Sequence, residues 1–325
     1  MIQYNPVMVL YFSTFVIAFV ATILLTPMVQ SFASQQKIID KPNERKVHKE
    51  PIPRLGGAAI YIGFLLAIMI SIVLASWFKI NIKLMPITGL LISATIIFIL
   101  GVVDDIRGLR STTKLAWQLF ASALILFFGV EINFFSNPFN GILPLIPLIS
   151  IPLTLIWLTG VTNAMNLIDG LDGLAAGVTA ISASTLFFVA LRTHEIGAAL
   201  VLLALAGASL GFLRYNFFPA KIFLGDSGSY LLGFILAASS IMGVFKTTLV
   251  VALIIPVLIL GVPIFDTMFA IGRRLGKGKN PFVADNKHIH HILLRAGFTQ
   301  REAVLSIYVV CFLLSMVAIL MALQK

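Results

Sequence analysis

Two short stretches concentrate the groups able to do chemistry. In the first, Asn163, Asn166, Asp169 and Asp172 recur every third residue, with Gly170 and Gly173 each following an Asp. A continuing helix would align them in one stripe, since positions three apart are neighbours on a helix surface. The Asp-Gly-Leu-Asp-Gly run points instead to a break, where glycine permits tight turning and close backbone approach to a ligand. Asp172 is also suited to cap the helix that follows, but capping does not account for two Asn and two Asp together. The second stretch, Gly225-Asp226-Ser227-Gly228-Ser229, opens an apolar run. Free backbone N–H groups and the helix dipole favour an anion there, whereas a bare Asp226 would repel one. A divalent cation between them reverses the sign. Oxygen donors without cysteine indicate a hard ion, Mg²⁺ first and Mn²⁺ second.

Three further groups accompany them. Asp104-Asp105 closes another apolar run, just before Arg107 and Arg110. Adjacent Asp residues cannot share a helix face, so one is expected at a reacting centre while the other pairs with a nearby Arg or Lys; a solvated helix end is the bland alternative. His288-Ile-His290-His291 lies in a long basic loop, 273–302. No nearby Cys or closely spaced acid completes a tetrahedral zinc set, so imidazoles donating hydrogen bonds to phosphate or sugar fit better. Val47-His48-Lys49, with Pro51-Ile-Pro53-Arg54-Leu-Gly56-Gly57, supplies a further basic rim.

The elements that must position these groups are membrane spans. Hydrophobic residues make up 59% of the 325, charged residues 11%, and the mean hydropathy is +1.03. Such a composition describes an all-α polytopic membrane protein with one transmembrane domain, 1–325, and no separate soluble domain. Apolar windows predict ten spans, near 7–27, 56–77, 86–103, 114–130, 147–166, 173–191, 196–213, 228–245, 248–272 and 303–323. Between and within the fourth and fifth, Pro138, Pro144, Pro147 and Pro152 interrupt the pattern, leaving room for an eleventh, short helix. The first run lacks a basic leader and reads as a retained helix rather than a cleaved signal. Cys311, the single cysteine, lies within a span, which removes disulfides and thiolate metal sites.

Orientation follows from Lys and Arg. With an external N-terminus, 18 of the 23 basic residues fall in cytoplasmic segments, and both termini face outward. The net charge of +10 is therefore a topology signal and an anionic-lipid contact rather than a nucleic-acid surface. The same map puts Asp104, Asp105, Asp169, Asp172 and Asp226 at the cytoplasmic ends of spans. Asp266, about two turns inside the ninth span, comes nearest the midplane. An ion or substrate transporter would favour midplane acids and internal repeats, and neither is seen. A homodimer is compatible with such a protein, although no span carries a decisive association motif.

Taken together, the ordered motifs resemble the polyprenyl-phosphate N-acetylhexosamine-1-phosphate transferases. They are Arg45-Lys-Val-His48 with Pro53-Arg54-Leu-Gly-Gly, Asp104-Asp105, Lys114 with Gln118, 163–174, 216–226, Pro263-Ile-Phe-Asp266-Thr and His288-Ile-His-His291. The Arg54 and His288 segments are similar to the branch using UDP-N-acetylglucosamine, which includes enzymes that initiate wall teichoic acid. The peptidoglycan branch, which transfers phospho-N-acetylmuramoyl-pentapeptide, usually carries three consecutive His and is the competing assignment.

The resemblance implies transfer of N-acetylglucosamine 1-phosphate from UDP-N-acetylglucosamine to undecaprenyl phosphate, releasing UMP at the cytoplasmic face of a bacterial membrane. It implies that Asp226 and Asn166 hold Mg²⁺ with the substrate diphosphate. Phe223 and Asp172 match positions near the uracil, and Lys114 and Arg54 match cations near phosphates. Asp104, with Asp105 beside it, matches the proposed base or phosphate-orienting acid. Asp169 and Asn163 belong to the same cleft, and His288, His290 and His291 are expected near the sugar phosphate. Direct attack by the prenyl phosphate is favoured, with a covalent phosphosugar on an Asp as the two-step alternative.

Overall fold

A computed structural model describes residues 5–40, 51–137, 141–243, 251–276 and 288–323. Its helices are α1 (Pro6–Gln35), α2 (Gly56–Trp77), α3 (Leu84–Arg107), α4 (Ser111–Leu126), α5 (Pro147–Ile168), α6 (Leu174–Arg192), α7 (Ile196–Asn216), α8 (Gly225–Gly243), α9 (Val251–Ile259), α10 (Gly261–Leu275), α11 (Ile289–Arg295) and α12 (Gln300–Leu323). Seven of them, α1, α2, α3, α5, α6, α7 and α12, are long and apolar enough to cross a membrane. Their outward faces carry exposed Phe12, Leu24, Val73, Ile156 and Phe312, an exterior suited to hydrocarbon rather than to water.

The helix ends follow local chemistry. Pro6 opens α1, where its missing N–H costs nothing, and the Asn5 side chain accepts from Val7 N–H at 3.0 Å. Predicted span 248–272 is two helices, α9 and α10, parted at Leu260. Pro263 cannot donate to residue 259 and its ring crowds that carbonyl, so one helix cannot run through. Predicted span 114–130 is the shorter α4, which starts at Ser111 and covers only about 24 Å at 1.5 Å per residue. Among the described residues, no further helix fills the proline-rich stretch after it. Instead β3 (Phe134–Asn137) pairs antiparallel with β4 (Gly141–Pro144). The loop expected across 273–302 contains α11, and its residues 277–287 lie outside the described ones, as does the Arg45–His48 motif.

At the centre stands α8, whose residues from Ser227 to Gly243 are all buried. It packs against α2, α3, α5, α6 and α7. Shielded from lipid, it tolerates Ser227, Ser229, Ser239 and Ser240 among Leu, Ile and Phe. Close approach at its first turn depends on absent side chains. A Cβ on Gly57 would fall 2.2 Å from Gly228 N, and one on Gly101 would fall 2.4 Å from Ser227 Cα. Two glycines on α2 and α3 thus set how deeply the start of α8 sinks between its neighbours. A second ribbon, β1 (Ile39–Asp40) with β2 (Ile52–Pro53), lies beside that same end.

Candidate active site

The last turn of α3 and the first turn of α8 meet through Asp105. Its fully buried carboxylate accepts from Asp226 N–H at 2.9 Å and Ser227 N–H at 3.0 Å, capping α8 from another helix. Arg54 Nε and Nη2 donate to the same group at 3.1 and 2.8 Å. Four donors converge on this carboxylate, so Asp105 positions Arg54 and Asp226. Gly225 takes φ +75 to make the approach, and a Cβ there would lie 2.5 Å from Asp105 Oδ2. Asp104 is held too: Oδ1 accepts from Leu109 N–H at 2.7 Å, and Oδ2 faces Lys114 Nζ at 2.5 Å and Tyr230 O–H at 3.2 Å. Both acids are therefore paired, where the sequence reading paired only one. Lys114 also stands 4.0 Å from Asp226 Oδ2, and Arg54 3.8 Å from it.

From α5 comes Asn166, whose amide donates to Asp226 Oδ1 at 2.7 Å and to Ser229 Oγ at 2.8 Å. Asp104, Asn166 and Asp226, far apart in sequence, thus belong to one polar cluster at one end of the bundle. Asn163 sits one turn deeper and is not among the cleft-lining residues. Its amide donates to Gln118 Oε1 of α4 at 2.6 Å and to Thr159 O at 2.8 Å, so it joins two helices.

The polar stripe does break, as the glycines suggest: α5 ends at Ile168, with Asp169 as its C-cap. Asp172 does not cap α6. Gly173 takes that position at φ +79, and the Asp172 carboxylate accepts instead from Ala220 N–H at 2.9 Å. Buried Asn216 stitches the two loops, accepting from Gly173 N–H and donating to Ile222 O. The Phe223 segment is fixed by exchange with the start of α2. Its N–H donates to Pro53 O at 2.8 Å, and its carbonyl accepts from Gly56 N–H at 3.0 Å.

Among the described histidines, only His291 lines the cleft. His288 and His290, expected with it near the sugar phosphate, are buried and do not line the cleft. His288 Nδ1 meets Asp266 Oδ2 at 2.8 Å. The His290 ring backs onto Gly170, where a Cβ would fall 2.4 Å from Nε2. Burial first, then neighbouring His291 and His288, lowers its pKa to about 4, so His290 is neutral near pH 7.

These elements enclose a cleft of about 410 Å³ lined by Asp40, Arg54, Asn166, Asp169, Gly170, Leu171, Asp172, Asn216, Phe223, Leu224, Gly225, Asp226, His291 and Gln300. Four of the lining residues are acids and one is a cation. Burial, followed by the charges of Asp226 and Asp105, pushes the Asp169 carboxyl well above the usual range. An anionic ligand entering alone would meet like charge, at roughly 3 kcal/mol per unit pair for 5 Å and a dielectric near 20. A hard divalent cation fits this donor set: partly exposed Asp226, neighbouring Asn166 and a carboxylate that is driven to hold a proton. Among the described residues no group of three His, Cys, Asp or Glu forms a closed cage. That suits an ion sharing its coordination with phosphate oxygens. Tyr230 and Asp266, which the sequence reading gave no role, prove to hold two of the expected site residues.

Similarity to known proteins covers the same elements. A family model described as glycosyl transferase family 4 matches residues 87–244, from α3 to α8. A Bacillus subtilis protein named "Probable undecaprenyl-phosphate N-acetylglucosaminyl 1-phosphate transferase" is 40% identical over 308 residues, 94% of this chain and 84% of its own length. A Mycobacterium leprae decaprenyl-phosphate N-acetylglucosaminephosphotransferase is 36% identical, over 90% of this chain and 78% of that protein. A Haemophilus influenzae undecaprenyl-phosphate alpha-N-acetylglucosaminyl 1-phosphate transferase is 31% identical, over 95% and 85%.

Proposed function

Because the chain belongs to glycosyl transferase family 4, we propose that it transfers N-acetylglucosamine 1-phosphate from UDP-N-acetylglucosamine to undecaprenyl phosphate. UMP is released, and the product starts a cell-surface glycan such as wall teichoic acid. The observation that carries this reading is the single polar cluster built from Arg54, Asp104, Lys114, Asn166 and Asp226. The names of the three relatives share the sugar phosphate and differ in the prenyl chain, which favours N-acetylglucosamine over the muramoyl-pentapeptide donor. Arg54 and His291 lie outside the matched stretch yet line the same cleft, in keeping with one transferase unit over 1–325.

In this reading a prenyl-phosphate oxygen attacks the sugar-bearing phosphorus of the donor. One P–O bond forms, the bond to UMP breaks, and no proton need move from an acceptor already ionised. Asp226 and Asn166 would hold Mg²⁺, which when bound neutralises the diphosphate and stabilises UMP as the leaving group. Lys114, oriented by Asp104, attracts the acceptor phosphate, and Arg54, held by Asp105, faces the donor diphosphate. Asp104 acts by holding Lys114 in place and Asp105 by placing Arg54. Phe223 and Asp172 sit where uracil binds, and Asp169 and His291 complete the wall around the sugar phosphate. The prenyl tail gains about 0.8 kcal/mol per buried CH₂ in the bilayer, which keeps its phosphate at the interface where the helices end. The cleft faces the cytoplasm of a bacterial plasma membrane, with both termini outside.

Incubating purified protein with UDP-N-acetylglucosamine, Mg²⁺ and undecaprenyl phosphate, then weighing the lipid product, tests the proposal. A prenyl-diphosphate N-acetylglucosamine and free UMP are expected. Turnover with the muramoyl-pentapeptide donor alone would contradict it.

A further inference from the structure

Asp266 lies in α10 within an apolar segment, 7% exposed, and the mechanism above gives it no task. A carboxylate in such a place is expensive unless its oxygens are satisfied. Both are. Oδ2 meets Nδ1 of His288, itself 5% exposed, at 2.8 Å, and Oδ1 accepts from Ile289 N–H at 2.9 Å. One carboxylate therefore grips the ring of His288 and the first backbone N–H of α11. From there the contacts lead to the cleft. The His288 and His290 rings are stacked at 5.9 Å between centroids and 5° between planes, and the His290 and His291 rings lie 4.2 Å apart. His290 rests on Gly170, and Gly170 and His291 both line the cleft.

The chemistry of the pair sets a direction. An ionised carboxylate only accepts, so the His288 nitrogen that meets it, Nδ1, is the one that carries a proton, and in a neutral imidazole that leaves Nε2 as an acceptor. We infer that Asp266 is a positioning residue of the transferase. By fixing the tautomer of His288 and docking the start of α11, it holds the imidazole row against Gly170 and so sets His291 at the sugar-phosphate end of the cleft. This inference rests on the transferase reading above. Neither His288 nor Ile289, the two groups that Asp266 holds, lines the cleft, so its effect passes through the histidines.

Asp266→Asn separates tautomer from shape. Its amide oxygen still accepts from Ile289 N–H, while its NH₂ faces Nδ1 and forces the opposite tautomer. The full-length variant, assayed in lipid nanodiscs, should lose about tenfold or more in kcat/KM for UDP-N-acetylglucosamine, as misoriented imidazoles do elsewhere. UMP affinity should stay within about twofold and Asp266→Glu should recover part of the loss. In a His288→Gln background Asp266→Asn should add nothing. Wild-type kinetics in Asp266→Asn, or full additivity with His288→Gln, would overturn the inference. If wild-type protein itself makes no lipid-linked sugar phosphate, it is the transferase reading that falls. Should Asp266→Asn not fold, nitrogen-15 NMR of histidine in the wild-type chain decides: a proton on His288 Nδ1 agrees, and one on Nε2 alone contradicts.

Discussion

At Asp226 and its neighbours, single substitutions should separate chemistry from architecture. Asp226→Ala removes the partly exposed carboxylate of the cluster while Asp105 still caps α8. Turnover at limiting Mg²⁺ should fall at least about 100-fold, near 2.7 kcal/mol, with the thermal midpoint unchanged; normal turnover would remove Asp226 from the cation site. Asp105→Ala behaves otherwise. It leaves Arg54 and two N–H groups of α8 without their buried acceptor, at a cost of about 3 kcal/mol in stability. Denaturant unfolding of the two variants should rank them in that order. His290 adds a pH signature. Its pKa falls from 6.5 to about 4 on folding, so between those values the unfolded chain takes up a proton that the folded chain refuses. Stability contributed by the neutral ring is complete above about pH 6.5 and is lost as pH drops toward 4. The melting midpoint of wild type should therefore decline more steeply than that of His290→Gln across this window. Equal slopes would mean that the ring titrates normally.

At the scale of elements, the account turns on how α8 enters the bundle. Gly101→Ala places a methyl 2.4 Å from Ser227 Cα and 2.6 Å from Asp226 O. Both are backbone atoms, so the helix itself must shift. A stability loss of about 1–3 kcal/mol is expected, together with a loss of activity larger than that loss explains, because Asp226 moves with its turn. Activity equal to wild type would show that the close fit is not needed. This fit was not legible in the sequence, where Gly101 is one more small residue in an apolar run. Nor was the cap on α8 legible, since the capping group comes from α3 and no local rule finds it. What local chemistry governs was readable: the break after Ile168 was announced by Gly170 and Gly173. The division between α9 and α10 at Pro263 was missed, because a hydropathy window averages across it. Asp266 was visible as an acid inside an apolar run, the sign of a buried partner, but only the fold identifies His288 as that partner.

The whole molecule is polar at one end, and the charges there were the most legible feature of all. Asp104, Asn166 and Asp226 each stand at the edge of an apolar run, so membrane solvation alone brings them toward a surface. In the proposed orientation, the alternation of spans gives them one shared surface. Lys83 and Glu195 pair at 3.1 Å in the connections that the alternation puts on the opposite face. Impermeant thiol labelling of intact cells should therefore modify a cysteine at Lys83 and spare one at Arg110, with native Cys311 silent in its buried position. The reverse pattern would invert the proposed orientation. The account's central claim is that this end of the bundle clamps a cation against a nucleotide-sugar diphosphate. Mn²⁺ in place of Mg²⁺ makes that directly measurable by electron paramagnetic resonance with phosphorus-31 double resonance. Mn²⁺ is predicted to bind weakly to the full chain alone, and more tightly with UDP-N-acetylglucosamine, showing phosphorus couplings that Asp226→Ala abolishes. Tight Mn²⁺ binding that is indifferent to the nucleotide sugar, without phosphorus coupling, would contradict it.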